Sequence, residues 1–175
     1  MNHMKKTMLN GHTSAIPRPD LQPHNQFLDE LKQVMGAEKH QLLLFPLLKA
    51  AATSLHLKNT MARCLDNVRE HISRLEQVFA LMGQRPASRQ PESILAIGRE
   101  AEERISGTEK GTSCQDAGLI VLAQQIGQYE IAAYGSLAQL ARNLEKDDVL
   151  EILETTLNEE KEVDELLIAL QDYVI

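Results

Sequence analysis

The chain has very few aromatic residues and no tryptophan. Phe, Trp and Tyr make up 3% of its 175 residues, so the apolar mass lies in Leu, Ile, Val, Ala and Met. These side chains suit packing between helices better than the core of a β-sandwich. Alternating strand-like runs are also missing from the sequence. We therefore expect an all-α protein, and the length fits one compact domain.

Three further absences narrow the class of protein. Two cysteines, Cys64 and Cys114, give no disulfide framework, and we expect each to be a small buried side chain. No stretch approaches the roughly 20 apolar residues that a membrane-spanning helix requires, and no apolar run follows Lys5 and Lys6. The net charge of −7 gives no broad attraction to nucleic acid. We expect a cytoplasmic protein that binds neither nucleic acid nor membrane.

The chain divides into an arm and a helical domain. Residues 1–24 are expected to form an irregular arm, because Gly11, Pro17, Pro19 and Pro23 interrupt any regular element. Residues 25–175 are expected to form the domain. Within it, the apolar spacing predicts long helices over residues 25–52, 55–82, 113–144 and from Asp147 or Asp148 onwards.

The segment between the second and third long helices is too long for a hairpin loop. It covers residues 84–112, and Pro91 can open a short helix inside it. Ser113 and Asp116 resemble a capping box at the start of the third long helix. Four long helices with one long crossover, which carries a short fifth helix, describe a ferritin-like bundle.

Each long helix carries one polar side chain in the middle of its apolar stripe. These side chains are Glu38, His71, Glu130 and Glu160. Mid-helix residues of antiparallel helices lie at one axial level, so we expect the four to meet in the core. Buried carboxylates are costly to keep charged without a partner. The group therefore needs protons, hydrogen bonds or a metal ion.

Two interpretations of this group stay open. Carboxylates and an imidazole suit iron, manganese or zinc, and Asp164, four residues after Glu160, could add an outer ligand. Alternatively, protonated glutamates and a neutral His71 form a hydrogen-bonded cluster with bridging water. The neighbouring Glu159 is predicted to lie on the charged surface. Tyr134 could be redox-active, although a packing role bonded by its hydroxyl is the commoner one.

Four segments resemble the YciE/YciF family of bacterial ferritin-like proteins, and the likeness covers about residues 26–172. The segments are Gly36-Ala37-Glu38-Lys39, Arg74-Leu75-Glu76-Gln77-Val78-Phe79, Tyr129-Glu130-Ile131-Ala132-Ala133-Tyr134-Gly135 and Glu159-Glu160-Lys161. The resemblance implies a ferritin-like bundle, commonly dimeric, with a dimetal centre and an association with stress responses. It supplies no established reaction.

The resemblance also places residues in the metal centre. Glu38, Glu130 and Glu160 stand where the family has core glutamates, and Asp164 matches a position that is often acidic. The chain departs from the family at Asn67 and Gly127, where glutamates are usual. Both departures remove anionic ligands, so two metal ions, one ion and none all remain open.

Two functions follow as hypotheses. The first is a stress-associated protein whose Glu38, His71, Glu130, Glu160 and Asp164 bind iron or another divalent metal, with one or two ions and an unknown small-molecule substrate. The second is a metal-free dimeric stress or scaffold protein with a vestigial site. Whether the chain is an enzyme stays open. A homodimer is expected in both cases.

Overall fold

The computed structural model describes residues 22–174, and all of its regular elements are helices. The five helices are α1 (Gln22–Ala51), α2 (Leu55–Leu81), α3 (Glu92–Gly107), α4 (Ser113–Asn143) and α5 (Asp147–Val174). Four are long, and the shorter α3 lies in the crossover between α2 and α4. The predicted all-α, ferritin-like four-helix bundle with a fifth helix in its crossover is confirmed.

The first helix begins slightly earlier than the sequence suggested. It starts at Gln22 rather than near Asn25, because Pro23 is tolerated in a first helical turn, where its missing N–H leaves no bond unmade. Pro46 lies inside the same helix. The rest of the expected arm, residues 1–21, falls outside the described residues.

Local signals set the ends of α2. The Ser54 side chain caps its start by accepting a hydrogen bond from the backbone N–H of Leu57 at 3.2 Å. Gly83 follows its end at φ +67°, a left-handed conformation that glycine adopts without a steric penalty. These two signals explain why the predicted bounds of α2 were nearly right.

The predicted capping box at the start of α4 is wrong. Thr112 caps α4 by accepting from the backbone N–H of Gln115, and the Asp116 carboxylate is turned away from its own helix. It accepts from the backbone N–H groups of Thr53 and Ser54, at 2.6 and 2.7 Å. A buried carboxylate of α4 therefore fixes the turn between α1 and α2.

Contacts between distant residues define the directions of the helices. The turn after α1 meets the first turn of α4 at Asp116, while Glu30 of α1 accepts from Ser136 late in α4. The helices α1 and α4 are therefore antiparallel. Since α2 is also antiparallel to α1, α2 and α4 run parallel, as the long crossover predicted. The crossover helix α3 packs against α4 and α1.

The core is divided along the bundle axis into two apolar clusters. One contains Leu48, Met61 and Leu119, and the other contains Phe27, Phe79 and Leu153. Between them lies a layer of buried polar side chains at the middle of the long helices, called here the polar layer. Its members are Glu38, Gln41, His71, Glu130, Thr156 and Glu160. Within residues 22–174, no helix is apolar and long enough to cross a membrane.

Candidate metal centre

The polar layer brings together the four side chains that the sequence singled out. Glu38, His71 and Glu130 are fully buried, and Glu160 is 8% exposed. The Nδ1 atom of His71 lies 3.1 Å from Glu38 Oε1 and 3.4 Å from Glu160 Oε1. One imidazole nitrogen of α2 thus faces carboxylates from α1 and α5. The expectation that polar residues of separate helices meet in the core holds in this structure.

Two further buried side chains hold the carboxylates in place. The Tyr134 hydroxyl donates to Glu38 Oε1 at 2.6 Å, and its ring meets the ring of His71 edge-on, with centroids 6.0 Å apart. The Gln41 amide donates to Glu130 Oε1. The other oxygen of each carboxylate, Oε2 of Glu38 and of Glu130, is buried without a hydrogen-bond partner in the structure. Buried polar atoms normally have partners, so these two oxygens indicate room for another donor or a cation.

The second ring nitrogen of His71 begins a chain of hydrogen bonds that runs towards the surface. Nε2 lies 3.0 Å from Glu159 Oε2, and both oxygens of Glu159 accept from the guanidinium of Arg74, at 2.6 and 2.8 Å. Arg74 also donates to the buried Thr156 hydroxyl at 3.3 Å. The prediction that Glu159 belongs to the solvated surface is wrong, because it is a half-buried link between His71 and Arg74.

The charges of the polar layer shift several pKa values. Burial, followed by the charges of Glu38 and Glu160, holds the pKa of Glu130 well above its ordinary value. Burial and the nearby Glu38 charge raise the pKa of Glu160 to about 7. Burial alone would lower the pKa of His71, but its hydrogen bond to Glu38 and the charges of Glu38 and Glu160 outweigh burial and raise it. The layer therefore holds protons that these groups would lose in water.

Glu159 behaves in the opposite way. Its hydrogen bonds from Arg74 lower the pKa of its carboxyl, with a smaller contribution from His71. Glu159 is therefore ionised at neutral pH and accepts the Nε2–H of His71. This fixes Nε2 as a donor, so Nδ1 faces the core carboxylates either as a second donor or, once deprotonated, as a lone pair.

Asp164 is placed at the edge of this arrangement. It is half-buried and accepts a hydrogen bond from the exposed Gln128 at 2.8 Å. Its charge still contributes to the raised pKa of Glu160. As placed, Asp164 acts on the polar layer through its charge.

The two cysteines differ from one another. Cys64 is buried, as predicted, and burial raises the pKa of its thiol to about 12, which keeps it protonated at neutral pH. Cys114 is exposed, so the expectation that both are buried is wrong for this residue. Cys114 stands in the first turn of α4.

The donor atoms can be tested against the needs of a metal ion. Within residues 22–174, no group of three His, Cys, Asp or Glu side chains already has the arrangement of a metal site. Two ligand atoms that both bond one ion at about 2.1 Å lie roughly 3.0–3.4 Å apart. The distances from His71 Nδ1 to Glu38 Oε1 and Glu160 Oε1, 3.1 and 3.4 Å, fall in this range. Glu38 and Glu130 each have one unbonded oxygen to turn towards an ion. The donor types therefore suit a divalent ion, and the carboxylates would have to rotate to form a site.

Comparison with known proteins identifies the relatives of the chain. The family described as "Domain of unknown function (DUF892)" matches residues 22–175. Protein YciF of Escherichia coli K12 is 33% identical over 139 residues, which cover 79% of this chain and 83% of YciF.

Comparison with solved structures also finds YciF among the relatives. The crystal structure of the E. coli stress protein YciF aligns with a TM-score of 0.82 and 31% identity, over 87% of this chain and 96% of that one. YcfI of Rhodopseudomonas palustris aligns with a TM-score of 0.81 and 31% identity, over 87% and 97% of the two chains. A protein of Xanthomonas campestris shares the fold at 17% identity, with a TM-score of 0.71 over 87% of this chain and 93% of that one.

Proposed function

Because the chain belongs to the DUF892 family, with YciF-like stress proteins as its relatives, we propose that it is a ferritin-like stress protein that binds iron or a similar divalent metal in its polar layer. The observation that carries this proposal is the setting of His71. Nδ1 faces two carboxylates of the core, and Nε2 faces a carboxylate held by Arg74.

This setting resembles the surroundings of metal-binding histidines in general. Such histidines usually donate their second ring N–H to a carboxylate, which fixes the tautomer and makes the first nitrogen a better ligand. Glu159 is in the position to do this for His71, and Arg74 keeps Glu159 ionised. A purely structural histidine has no need of this arrangement, although it can adopt it.

Each remaining residue has a role in the proposal. Glu38, Glu130 and Glu160 supply carboxylate ligands from three helices, and their negative charges offset that of a cation. Tyr134 and Gln41 orient Glu38 and Glu130 by hydrogen bonds. The apolar clusters on either side exclude bulk water. Bound iron would supply redox chemistry towards dioxygen or peroxide, and the buried residues would control what reaches it.

Metal analysis of matched variants tests the proposal. The untagged protein is purified without chelators, reconstituted anaerobically with Fe²⁺, Mn²⁺ or Zn²⁺, desalted and analysed for metal. We expect metal in the wild type and in E165Q, which changes an exposed glutamate of α5, and its loss in E130Q. A wild type without iron, manganese or zinc after reconstitution would contradict the proposal.

A second function, a metal-free stress or scaffold protein, is favoured by one observation. With His71 protonated, both ring N–H groups already have carboxylate acceptors, so the cluster is largely satisfied by protons alone. The R. palustris neighbour is also described in structural rather than enzymatic terms. In this case E160Q should be at least as stable as the wild type, with or without added metal, because it removes a carboxyl whose pKa burial raises. Strong destabilisation of E160Q relative to the metal-treated wild type would count against it.

We further propose a homodimer, as the family resemblance implies. Leu43 and Leu47 lie one turn apart on α1 and are 67% and 48% exposed, a feature typical of a contact surface. Light scattering should give twice the chain mass of 19.6 kDa, and the double variant L43E/L47E should give the chain mass. A monomeric wild type would refute the dimer. The cytoplasmic location stays a prediction.

A further inference from the structure

A groove opens at the end of the bundle where α1 and α3 end and where α2 and α4 begin. Its volume is about 610 Å³, within the range of roughly 300–1,000 Å³ that is usual for small-molecule sites. The groove shares no lining residue with the polar layer, which lies at the middle of the long helices. It is therefore a separate feature of the fold.

Much of the wall of this groove is apolar. Leu47, Ala50 and Ala51 come from the end of α1, and Ile105 comes from the end of α3. Leu47 alone is 48% exposed, which is high for a leucine in a folded domain. Covering such a surface with hydrocarbon releases the water that contacts it. The wall therefore suits the apolar part of a ligand.

The charged side chains of the groove carry an excess of positive charge. Lys58 near the start of α2 and Lys110 in the turn before α4 line the groove together with Glu102 of α3. Neither lysine forms an ion pair with any other residue between Gln22 and Val174. Two ammonium groups and one carboxylate leave one positive charge unbalanced. A ligand with a single negative charge would balance it, whereas a dianionic phosphate would exceed it.

A buried amide adds a hydrogen-bond donor to the same wall. Gln115 of α4 is 2% exposed, and its Oε1 accepts from the backbone N–H of Gly111 at 3.0 Å. This bond fixes the side chain in the wall of the groove. Its NH₂ group donates to no residue in the described part of the chain and is not fully enclosed by protein. Buried amides normally use both ends, so this group is free to donate to a ligand oxygen.

We propose that this groove binds a small amphipathic carboxylate, such as a medium-chain fatty acid. The hydrocarbon part packs against the apolar wall of α1 and α3. The carboxylate accepts hydrogen bonds from Lys58, Lys110 and Gln115, which are donors, whereas an ionised carboxylate is purely an acceptor. The proposal involves no metal ion, so it stands or falls independently of the proposed function.

Isothermal titration with octanoate below its micelle concentration tests the proposal. The wild type should bind one octanoate per chain, and octanol and acetate, which carry only the hydrocarbon or only the charge, should bind about tenfold more weakly or less. On binding, the amide NMR signal of Gly111 should shift, which places the ligand in the groove.

Charge variants with matched controls test which groups hold the carboxylate. K58Q/K110Q should weaken octanoate binding about tenfold, because hydrogen bonds to charged groups are the stronger ones. K49Q changes an exposed lysine of α1 outside the groove and should bind as the wild type does. E102Q removes the one negative charge of the groove and should strengthen binding, whereas the exposed E103Q should leave it unchanged. Circular dichroism checks that each variant is folded.

Three results would overturn the proposal. The first is no octanoate binding, and the second is equal affinity for octanoate and octanol. The third is unchanged affinity in both K58Q/K110Q and E102Q. A second copy of the chain is the competing occupant, because Leu47 also belongs to the surface proposed for the homodimer. Titrations at two protein concentrations separate the two occupants, since octanoate affinity that falls as protein concentration rises would assign the groove to the second copy.

Discussion

The two sides of the polar layer are built differently. On the α2–α5 side, called the histidine side, His71 is connected through Glu159 to Arg74 at the half-exposed edge of the bundle. On the α1–α4 side, called the glycine side, Gln41 donates to Glu130, and a small cavity lies beside Gly127. The histidine side gives both ring nitrogens of His71 a partner, whereas on the glycine side one oxygen of Glu130 has none.

The difference shows how a buried polar group can be maintained. A chain of charge-assisted hydrogen bonds lets the histidine side share its charge with a surface arginine, so His71 and Glu159 both have partners. On the glycine side, burial raises the pKa of Glu130 and one of its oxygens has no partner. Without a cation, the glycine side avoids an unpaired buried charge only if Glu130 holds a proton.

The largest expected effect comes from removing the imidazole. H71Q takes away the positive partner of Glu38 and Glu160, and breaking a buried pair in this way costs about 3–5 kcal/mol. Urea unfolding at pH 7 with a chelator present measures the loss. The control H56Q changes an exposed histidine of the same helix and should be neutral. Equal stabilities of H71Q and H56Q would show that His71 makes no stabilising ion pair.

The second prediction concerns pH. A carboxyl whose folded pKa is raised from 4.5 to about 7 destabilises the fold as pH rises through that interval, by about 3 kcal/mol for Glu160. His71 acts in the same direction, since the stability from its raised pKa is present below its unfolded value of 6.5 and is lost as pH rises through the folded pKa. The stability of the metal-free protein should therefore fall between pH 5 and pH 8.

Urea unfolding of the wild type and E160Q at pH 5 and at pH 8 measures this fall in stability. E160Q removes the contribution of Glu160, so its stability should fall less than that of the wild type over the same interval. The same decline in both proteins would contradict the raised pKa of Glu160.

The third prediction isolates the surface end of the histidine side. E159Q removes the charge that orients His71, and loss of such a carboxylate typically weakens metal binding about 10–100-fold. Isothermal titration with Mn²⁺ measures the affinity. E162Q is the matched control, because it removes a glutamate of α5 that pairs with Arg63 on the surface, and it should bind as the wild type does. An unchanged affinity in E159Q would confine Glu159 to a packing role.

The smallest expected effect tests the glycine side. G127A should stabilise the metal-free protein by about 0.5–1 kcal/mol, because alanine favours a helix and its Cβ meets no atom within 4 Å. G135A, at the other unobstructed glycine of α4, measures the gain in helix propensity alone. Thermal melting compares the two. A loss of stability in G127A alone would show that its cavity already has an occupant.

Much of the fold could be predicted from the sequence because its signals are local. The apolar spacing, Gly83 and Pro91 set the helices, and the length of the crossover set the parallel course of α2 and α4. The polar layer could also be predicted, since Glu38 and His71 interrupt stripes that would otherwise be apolar. Each of these signals lies within a few turns of one helix.

The remaining features depend on contacts between distant parts of the chain. Glu159 and Glu160 are adjacent in sequence, and only the position of Arg74 on α2 shows why Glu159 is drawn inwards. Asp116 was predicted to cap its own helix, yet it binds the turn after α1. The Nε2 atom of His40 is buried against Gly98 of the crossover helix. Helical periodicity gives no information on such pairings.

Anomalous diffraction from crystals grown with Mn²⁺ tests the central claim most directly. The account predicts a manganese peak in the polar layer, within bonding distance of His71 Nδ1 and of carboxylate oxygens from Glu38 and Glu160. A map in which this layer holds no anomalous peak, while Nδ1 keeps its hydrogen bond to Glu38, would contradict the account.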